Sequence, residues 1–192
     1  MIKKLIFSAE LVLYFLLLIN ISFADIQKDL VNKITATKTL TFNFSQQIAE
    51  KIEYGHCFIK YPLLMKCNYE ENKQKSIISN GKVVAVIKKK YKKIYYYPVK
   101  STPLGVLLKK EKILNLVRNS QPTQVNSNEI IFQLTDKESN IVNIYFDIKT
   151  LDLKGWKTKD NYSNDVSFVI SNLESNKIIE DSFFKIPKEE DL

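Results

Sequence analysis

The strongest constraint on this chain is the alternation in residues 54–82, YGHCFIKYPLLMKCNYEENKQKSIISNGK. Apolar and polar residues change places on both sides of Tyr61-Pro62, and Asn80-Gly81 closes the run as a hairpin turn would. Because a period of two sends successive side chains to opposite faces of a strand, the run predicts three strands in succession. One face of the first two would carry Cys57, Ile59, Met65, Cys67 and Tyr69, and the other His56, Phe58, Lys60, Lys66 and Asn68. A sheet with one greasy side must be covered, so the remaining segments are read by what they can lay on it.

Residues 25–36 set Ile26, Leu30, Val31 and Ile34 at helical spacing behind Asp25, an N-cap candidate, and predict a short amphipathic helix. Residues 39–48 alternate, with Leu40, Phe42, Phe44 and Ile48 on the side to be buried. Beyond residue 82, strands are expected over 83–88 and 92–97, then over 129–135, 141–149, 151–159 and 165–171, separated by polar turns. Pro98 and Pro103 end the first series, and Leu104, Val106, Leu107, Leu108, Ile113, Leu114, Leu116 and Val117 form two short helical pieces with unusually large apolar faces. About nine antiparallel strands interrupted by helices only at the start and in the middle imply one mainly β (α+β) domain, a curved sheet with helices on its concave side. The helical insert and the lack of an aromatic girdle argue against a closed membrane barrel.

The N-terminus reads as an export signal. Lys3 and Lys4 precede an uninterrupted apolar run over 11–19, and Ser22-Phe23-Ala24 has the small-x-small form of a cleavage site, so residues 1–24 are expected to be removed, leaving 25–192 as a single domain. Glu10 and Asn20 keep the run short of the roughly 20 residues that cross a bilayer. Loss of Lys3, Lys4 and Glu10 changes the formal charge from +8 to +7. Much of the excess lies in Lys88, Lys89, Lys90, Lys92 and Lys93, read as a solvated turn able to meet an acidic partner or an anionic membrane; an exported protein rarely meets nucleic acid. Cys57 and Cys67 are equidistant from Pro62 and fall on one face, which allows a disulfide in an oxidising compartment and equally allows two small buried hydrophobes.

Reactive constellations are missing from the pattern. His56 is the only histidine, no serine occupies a strand-turn-helix elbow, and the acids gather in turns such as Glu70-Glu71 and residues 136–138, or at the C-terminus. Walker, Rossmann and zinc-ligand spacings are absent, so no enzyme, metal or cofactor is expected. What remains is a large apolar face, the profile of a protein that holds a hydrophobic ligand or of one that simply fills its core.

In order along the chain stand TFNFSQ over residues 41–46, Gly55-x-x-x-Ile59-Lys60-Tyr61-Pro62, Ser79-Asn80-Gly81-Lys82, Thr102-Pro103-Leu104 and the ending Phe183-Phe184-Lys185-Ile186-Pro187. With the leader and first helix, these resemble the LolA family of periplasmic outer-membrane lipoprotein carriers, whose motifs read F-x-x-x-F-x-Q, G-x-x-x-V/I-K-R-P, S-D-G-K, T-P-L and F-x-F-x-x-P. The resemblance implies an open, unclosed β-barrel with short helices as a lid, over a cavity for the acyl chains of lipoproteins crossing the periplasm. It implies no chemistry or cofactor. The implied partners are acylated lipoproteins, an inner-membrane lipoprotein-releasing ABC transporter and an outer-membrane lipoprotein acceptor, with the carrier a monomer; a periplasmic lipoprotein-binding sensor of the same architecture is the alternative. Carried onto this chain, the cavity residues would be Leu40, Phe42, Phe44, Ile59, Met65, Cys67, Tyr69, Leu104, Leu107 and Leu108. Tyr61 would make the lid contact, standing where the family keeps an arginine that hydrogen-bonds the lid shut, and Cys67 stands where it usually keeps a tryptophan. A phenol has neither the charge nor the donor fork of a guanidinium, so closure is expected to be weaker or to rest on another group.

Overall fold

The structure, a computed structural model, describes residues 23–70, 74–102, 104–135, 141–160 and 162–192. The body of the expected leader, residues 1–22, and the acids at 71 and 136–138 lie outside them. Among the described residues no helix is long and apolar enough to cross a membrane.

Eleven strands form one antiparallel sheet: β1 (Thr39–Ile48), β2 (Lys51–Lys60), β3 (Leu64–Tyr69), β4 (Lys75–Asn80), β5 (Val83–Lys88), β6 (Lys93–Pro98), β7 (Gln124–Val125), β8 (Glu129–Thr135), β9 (Ile141–Asp147), β10 (Leu153–Lys159) and β11 (Asp165–Ser175). The spatial order is β6-β5-β4-β3-β2-β1-β11-β10-β9-β8-β7. The two end strands do not pair with each other, so the barrel is unclosed. Among the described residues three α-helices, α1 (Phe23–Ala36), α2 (Leu104–Leu107) and α3 (Lys110–Asn119), lie over the concave face of the sheet, where Leu30, Leu107, Leu108, Ile113 and Val117 share one core with Leu40, Phe42, Ile59, Phe132 and Ile144.

Alternation placed most of the strands. Those expected over 39–48, 83–88 and 129–135 carry these bounds, and Cys57 stands opposite Cys67 as symmetry about Pro62 requires. Two expectations need correction. The described residues hold eleven strands, and the one that no expected range covered is two-residue β7, too short to show a period. Helix α1 starts at Phe23, so Asp25 sits in its first turn, where it favours the positive end of the helix dipole instead of capping it. The face of β2 and β3 that carries Phe58, Lys60 and Lys66 is also covered.

That cover is the C-terminal segment. A 3-10 turn at Asp181–Phe184 sets Phe183 edge-on to Phe58 at 4.7 Å, with Lys66 Nζ 4.4 Å above the Phe183 ring, and leaves Phe184 only 1% exposed. Lys60 ties the segment down through Asp181 and the carbonyl of Ile179. Further along, Ile186 and Leu192 pack on a second small core of Ile78, Ala85, Ile87 and Ile94. Glu189 accepts the backbone N–H of Ile94 at 2.8 Å, on the free edge of β6. Pro98 offers no N–H there, so the edge is poorly suited to pairing with another chain.

Candidate functional site

Between the sheet and the helices lies an apolar cavity of about 390 Å³, near the lower end of the roughly 300–1,000 Å³ typical of ligand pockets. Its floor comes from alternate residues of the first strands: Phe42 and Ile48 of β1, Cys57 and Ile59 of β2, Met65, Cys67 and Tyr69 of β3, Ile77 of β4, and Val84 and Val86 of β5. These positions share a face because the antiparallel registers put Cys57 opposite Cys67, Cys67 opposite Ile77, and Ile77 opposite Val86. Cys57 and Cys67 are joined as a disulfide, so a covalent cross-link crosses β2 and β3 within the floor. Leu107 of α2, with Leu108 and Thr102 on either side of that helix, closes the cavity from above.

A wall of rings bounds the opposite side. Trp156 of β10 stacks on Phe168 of β11 at 4.0 Å, Phe168 stacks on Phe44 at 4.7 Å, and Phe44 meets Tyr69 edge-on at 5.0 Å. Phe44 can lie flat over β2 because residue 55 is glycine: a Cβ there would come within 2.6 Å of the ring.

One end of the cavity is polar. The Tyr69 hydroxyl donates to Gln46 Oε1 at 2.6 Å, and buried Glu53 pairs with Lys75 at 2.6 Å, whose Nζ lies 3.6 Å from the Tyr69 ring centroid. Burial, reinforced by the negative charge of Glu53, pushes the Tyr69 phenol above its ordinary range. Lys159, Asp160 and Tyr162 also line this end, and Tyr162 is 88% exposed, which marks where the cavity opens.

Of the residues carried over from the resemblance, Phe42, Ile59, Met65, Cys67, Tyr69, Leu107 and Leu108 line the cavity, as does Cys57. Two are placed elsewhere. Leu40 lies in the core and borders a small separate recess beside Tyr61, and Phe44 is the middle of the ring stack, so its contacts are with protein. Leu104 opens α2, and its side chain lies outside the described residues. Sequence reasoning missed Trp156, Phe168, Ile77, Val84, Val86 and Tyr97. The only tryptophan of the chain, set in an alternating strand, was the available signal.

Tyr61 sits at the helical end, its phenol pushed up by burial. Among the described residues its hydroxyl makes no hydrogen bond; the lid is held by its neighbours. Leu63 donates its N–H to the carbonyl of Leu108 at 3.1 Å, directly joining the β2–β3 turn to the segment between α2 and α3. Lys110 donates to the carbonyls of Thr35 and Thr37 at 3.0 and 3.1 Å, a cation at the C-terminal end of α1, and its Nζ lies 5.9 Å from the Tyr61 ring centroid. Gln27 of α1 donates to the carbonyls of Val117 and Ser120 at the end of α3. Among the described residues no group of three or more His, Cys, Asp and Glu could hold a metal ion.

The family model for the outer membrane lipoprotein carrier protein LolA matches residues 35–187. The chain belongs to the LolA family. No curated protein matches the sequence. Among solved structures, this LolA-family chain is similar to an uncharacterized conserved protein from Thermus thermophilus, at 9% identity and a TM-score of 0.50 over 87% of this chain and 96% of that one. It is equally similar to a putative outer membrane lipoprotein-sorting protein domain from Vibrio parahaemolyticus, at 9% identity and 0.50 over 83% and 94%. A LolA superfamily protein from Nitrosomonas europaea aligns at 9% identity and a TM-score of 0.45 over 83% of this chain and 97% of that one. The likenesses to the Thermus and Vibrio structures concern the fold alone, and they agree with the unclosed barrel described above.

Proposed function

We propose that this LolA-family protein is a periplasmic carrier that shelters the acyl chains of lipoproteins and moves them from the inner to the outer membrane, without covalent chemistry. The observation that carries the reading is the mainly apolar cavity under α2, where Ile59, Met65, Ile77, Val86, Leu107 and Leu108 offer an acyl chain apolar contact. Each exposed methylene costs about 0.8 kcal/mol, so a chain of about 16 carbons costs on the order of 12 kcal/mol to move through water unshielded. Release demands that the shelter open. The hydrogen bonds that hold α2 and α3 down are few and lie at their ends, whereas the floor is continuous sheet crossed by the disulfide. A ligand that fits the open state better than the closed one would shift the population of the lid. Export by the N-terminal signal would carry the chain to the oxidising compartment in which a Cys57–Cys67 bond persists.

On this reading the partners are acylated lipoproteins, an inner-membrane lipoprotein-releasing ABC transporter that loads the carrier, and an outer-membrane lipoprotein acceptor that empties it. The test is a photo-crosslinking residue at position 65, with native mass spectrometry of protein taken from its own periplasm. Acylated adducts at 65 are expected. Empty protein throughout, together with normal lipoprotein sorting after depletion, would overturn the carrier reading.

A further inference from the structure

In this antiparallel sheet the β1–β2, β3–β4, β5–β6 and β10–β11 connections share one end of the strands, because Ile48 pairs with Lys51, Ile48 with Val166, Lys88 with Lys93, and Lys159 with Asp165. That is the end at which the cavity opens past Lys159 and Tyr162. It is opposite to the helical end, where Leu63 bonds Leu108.

The β5–β6 connection at this end is unusual. Residues 88–93 are all exposed and hold five lysines around one tyrosine, in a single 3-10 turn at Lys89–Tyr91 followed by Lys92 at φ 49°. Among the described residues one acid reaches them, Glu189, 3.9 Å from Lys93. Lys88 and Lys90 have rings for neighbours, with Nζ 5.3 Å from the Tyr95 centroid and 5.9 Å from the Tyr91 centroid. Tyr91 at the apex is 65% exposed, and Tyr95, Tyr96 and Tyr97 are each about half exposed along the same strand edge.

We infer that this lysine–tyrosine turn docks the protein onto a bilayer surface rich in anionic phospholipid, with the cavity opening at the docked end of the molecule. Clustered lysines without fixed partners suit a laterally mobile field of headgroups, and each lysine near such a surface adds attraction that falls off within the screening length. A tyrosine ring has an apolar body and a polar tip, which suits the headgroup layer. An acidic protein surface would ask instead for lysines held at fixed geometry, and among the described residues no hydrogen bond fixes Lys89, Lys90 or Lys92 by its side chain. The inference rests on the carrier reading for its purpose, since acyl chains enter and leave at a membrane, but its measurement needs no cargo.

The experiment is co-sedimentation of cargo-free protein with vesicles of pure phosphatidylcholine and of phosphatidylcholine containing phosphatidylglycerol, at low and high salt. Binding to the anionic vesicles alone, weakened as salt rises, is expected. The Lys89→Gln, Lys90→Gln, Lys92→Gln triple variant should lose on the order of 100-fold in partitioning, roughly fivefold per lysine. Tyr91→Ala should lose a few-fold. Thermal unfolding of each variant beside the parent protein separates lost binding from lost folding, and Lys28→Gln, Lys154→Gln, Lys177→Gln gives a charge-matched control on other surfaces. Equal binding to neutral vesicles, or full binding by the triple variant, would overturn the inference. So would slower lipoprotein transfer by the triple variant with vesicle binding intact, which would assign the turn to a protein partner. Crosslinks at position 65 without vesicle binding would leave the carrier reading standing alone; vesicle binding with no acylated cargo would do the reverse.

Discussion

The two faces of β2 to β5 are built from neighbouring residues of the same strands, and each carries an apolar cluster, yet they end differently. The convex face holds Phe58, Ile78, Ala85 and Ile87 and is covered by the chain's own C-terminal segment, through Phe183, Ile186 and Leu192. The concave face holds Cys57, Ile59, Met65, Cys67, Ile77 and Val86 and is only partly covered by the helices, leaving a cavity. An apolar surface met by a segment of matching shape becomes close-packed core, while one left partly unmet keeps room for a ligand. The comparison teaches that hydrophobicity of a face does not identify a binding site; the incompleteness of its cover does.

Four experiments would break or sharpen that contrast. The largest effect is expected from Phe184→Ala, which empties a fully buried site under the C-terminal cover and should cost about 3–5 kcal/mol in denaturant unfolding. A loss below about 1 kcal/mol would mean that the cover is loosely attached. Next, reduction of the Cys57–Cys67 bond, or replacement of both residues by Ala, should cost about 2–3 kcal/mol, as expected for a link that closes a short loop. Binding of a fluorescent fatty acid should survive this change at protein concentrations where the fold persists.

The sharpest arm is a pair of adjacent substitutions. Ile78→Trp forces extra volume into the convex core and should cost about 1–3 kcal/mol, whereas Ile77→Trp projects into the cavity and should cost under about 1 kcal/mol. Only the second should abolish fatty-acid binding, and equal stability losses would erase the distinction between the faces. The smallest effect concerns Tyr69. Its phenol is raised in the folded state by burial and by Glu53, so the neutral form stabilises the fold below the unfolded value of about 10 and this contribution is lost as pH climbs above it. Tyr69→Phe should therefore flatten the alkaline fall in melting temperature while changing little at neutral pH; an unchanged alkaline limb would show that Tyr69 does not carry it.

Much of this was legible before the structure. Residues 39–48 announce β1 because alternation is a local property, and the turn at Pro62 sets Cys57 against Cys67 by counting alone. Phe44 shows the limit. Its parity put it correctly on the concave side, but only the approach of β11, which brings Phe168 within 4.7 Å from a distant part of the chain, turned it from a cavity residue into part of a ring stack. Trp156 shows the converse, a wall residue that no nearby sequence could place. The helices show the same limit: the sequence left open which group ties them down, and the hydrogen bonds there come from the backbone of Leu63 and from Lys110.

The sequence by itself determined most of the strands, their sidedness and the register of the β2–β3 hairpin, because these depend on the two-residue period and on turns a few residues long. The tertiary structure alone decided which apolar face is filled and which is left with a cavity. That outcome turns on where the C-terminal segment and the helices come to rest, and their positions are fixed by packing between segments far apart in the chain, which no local period records.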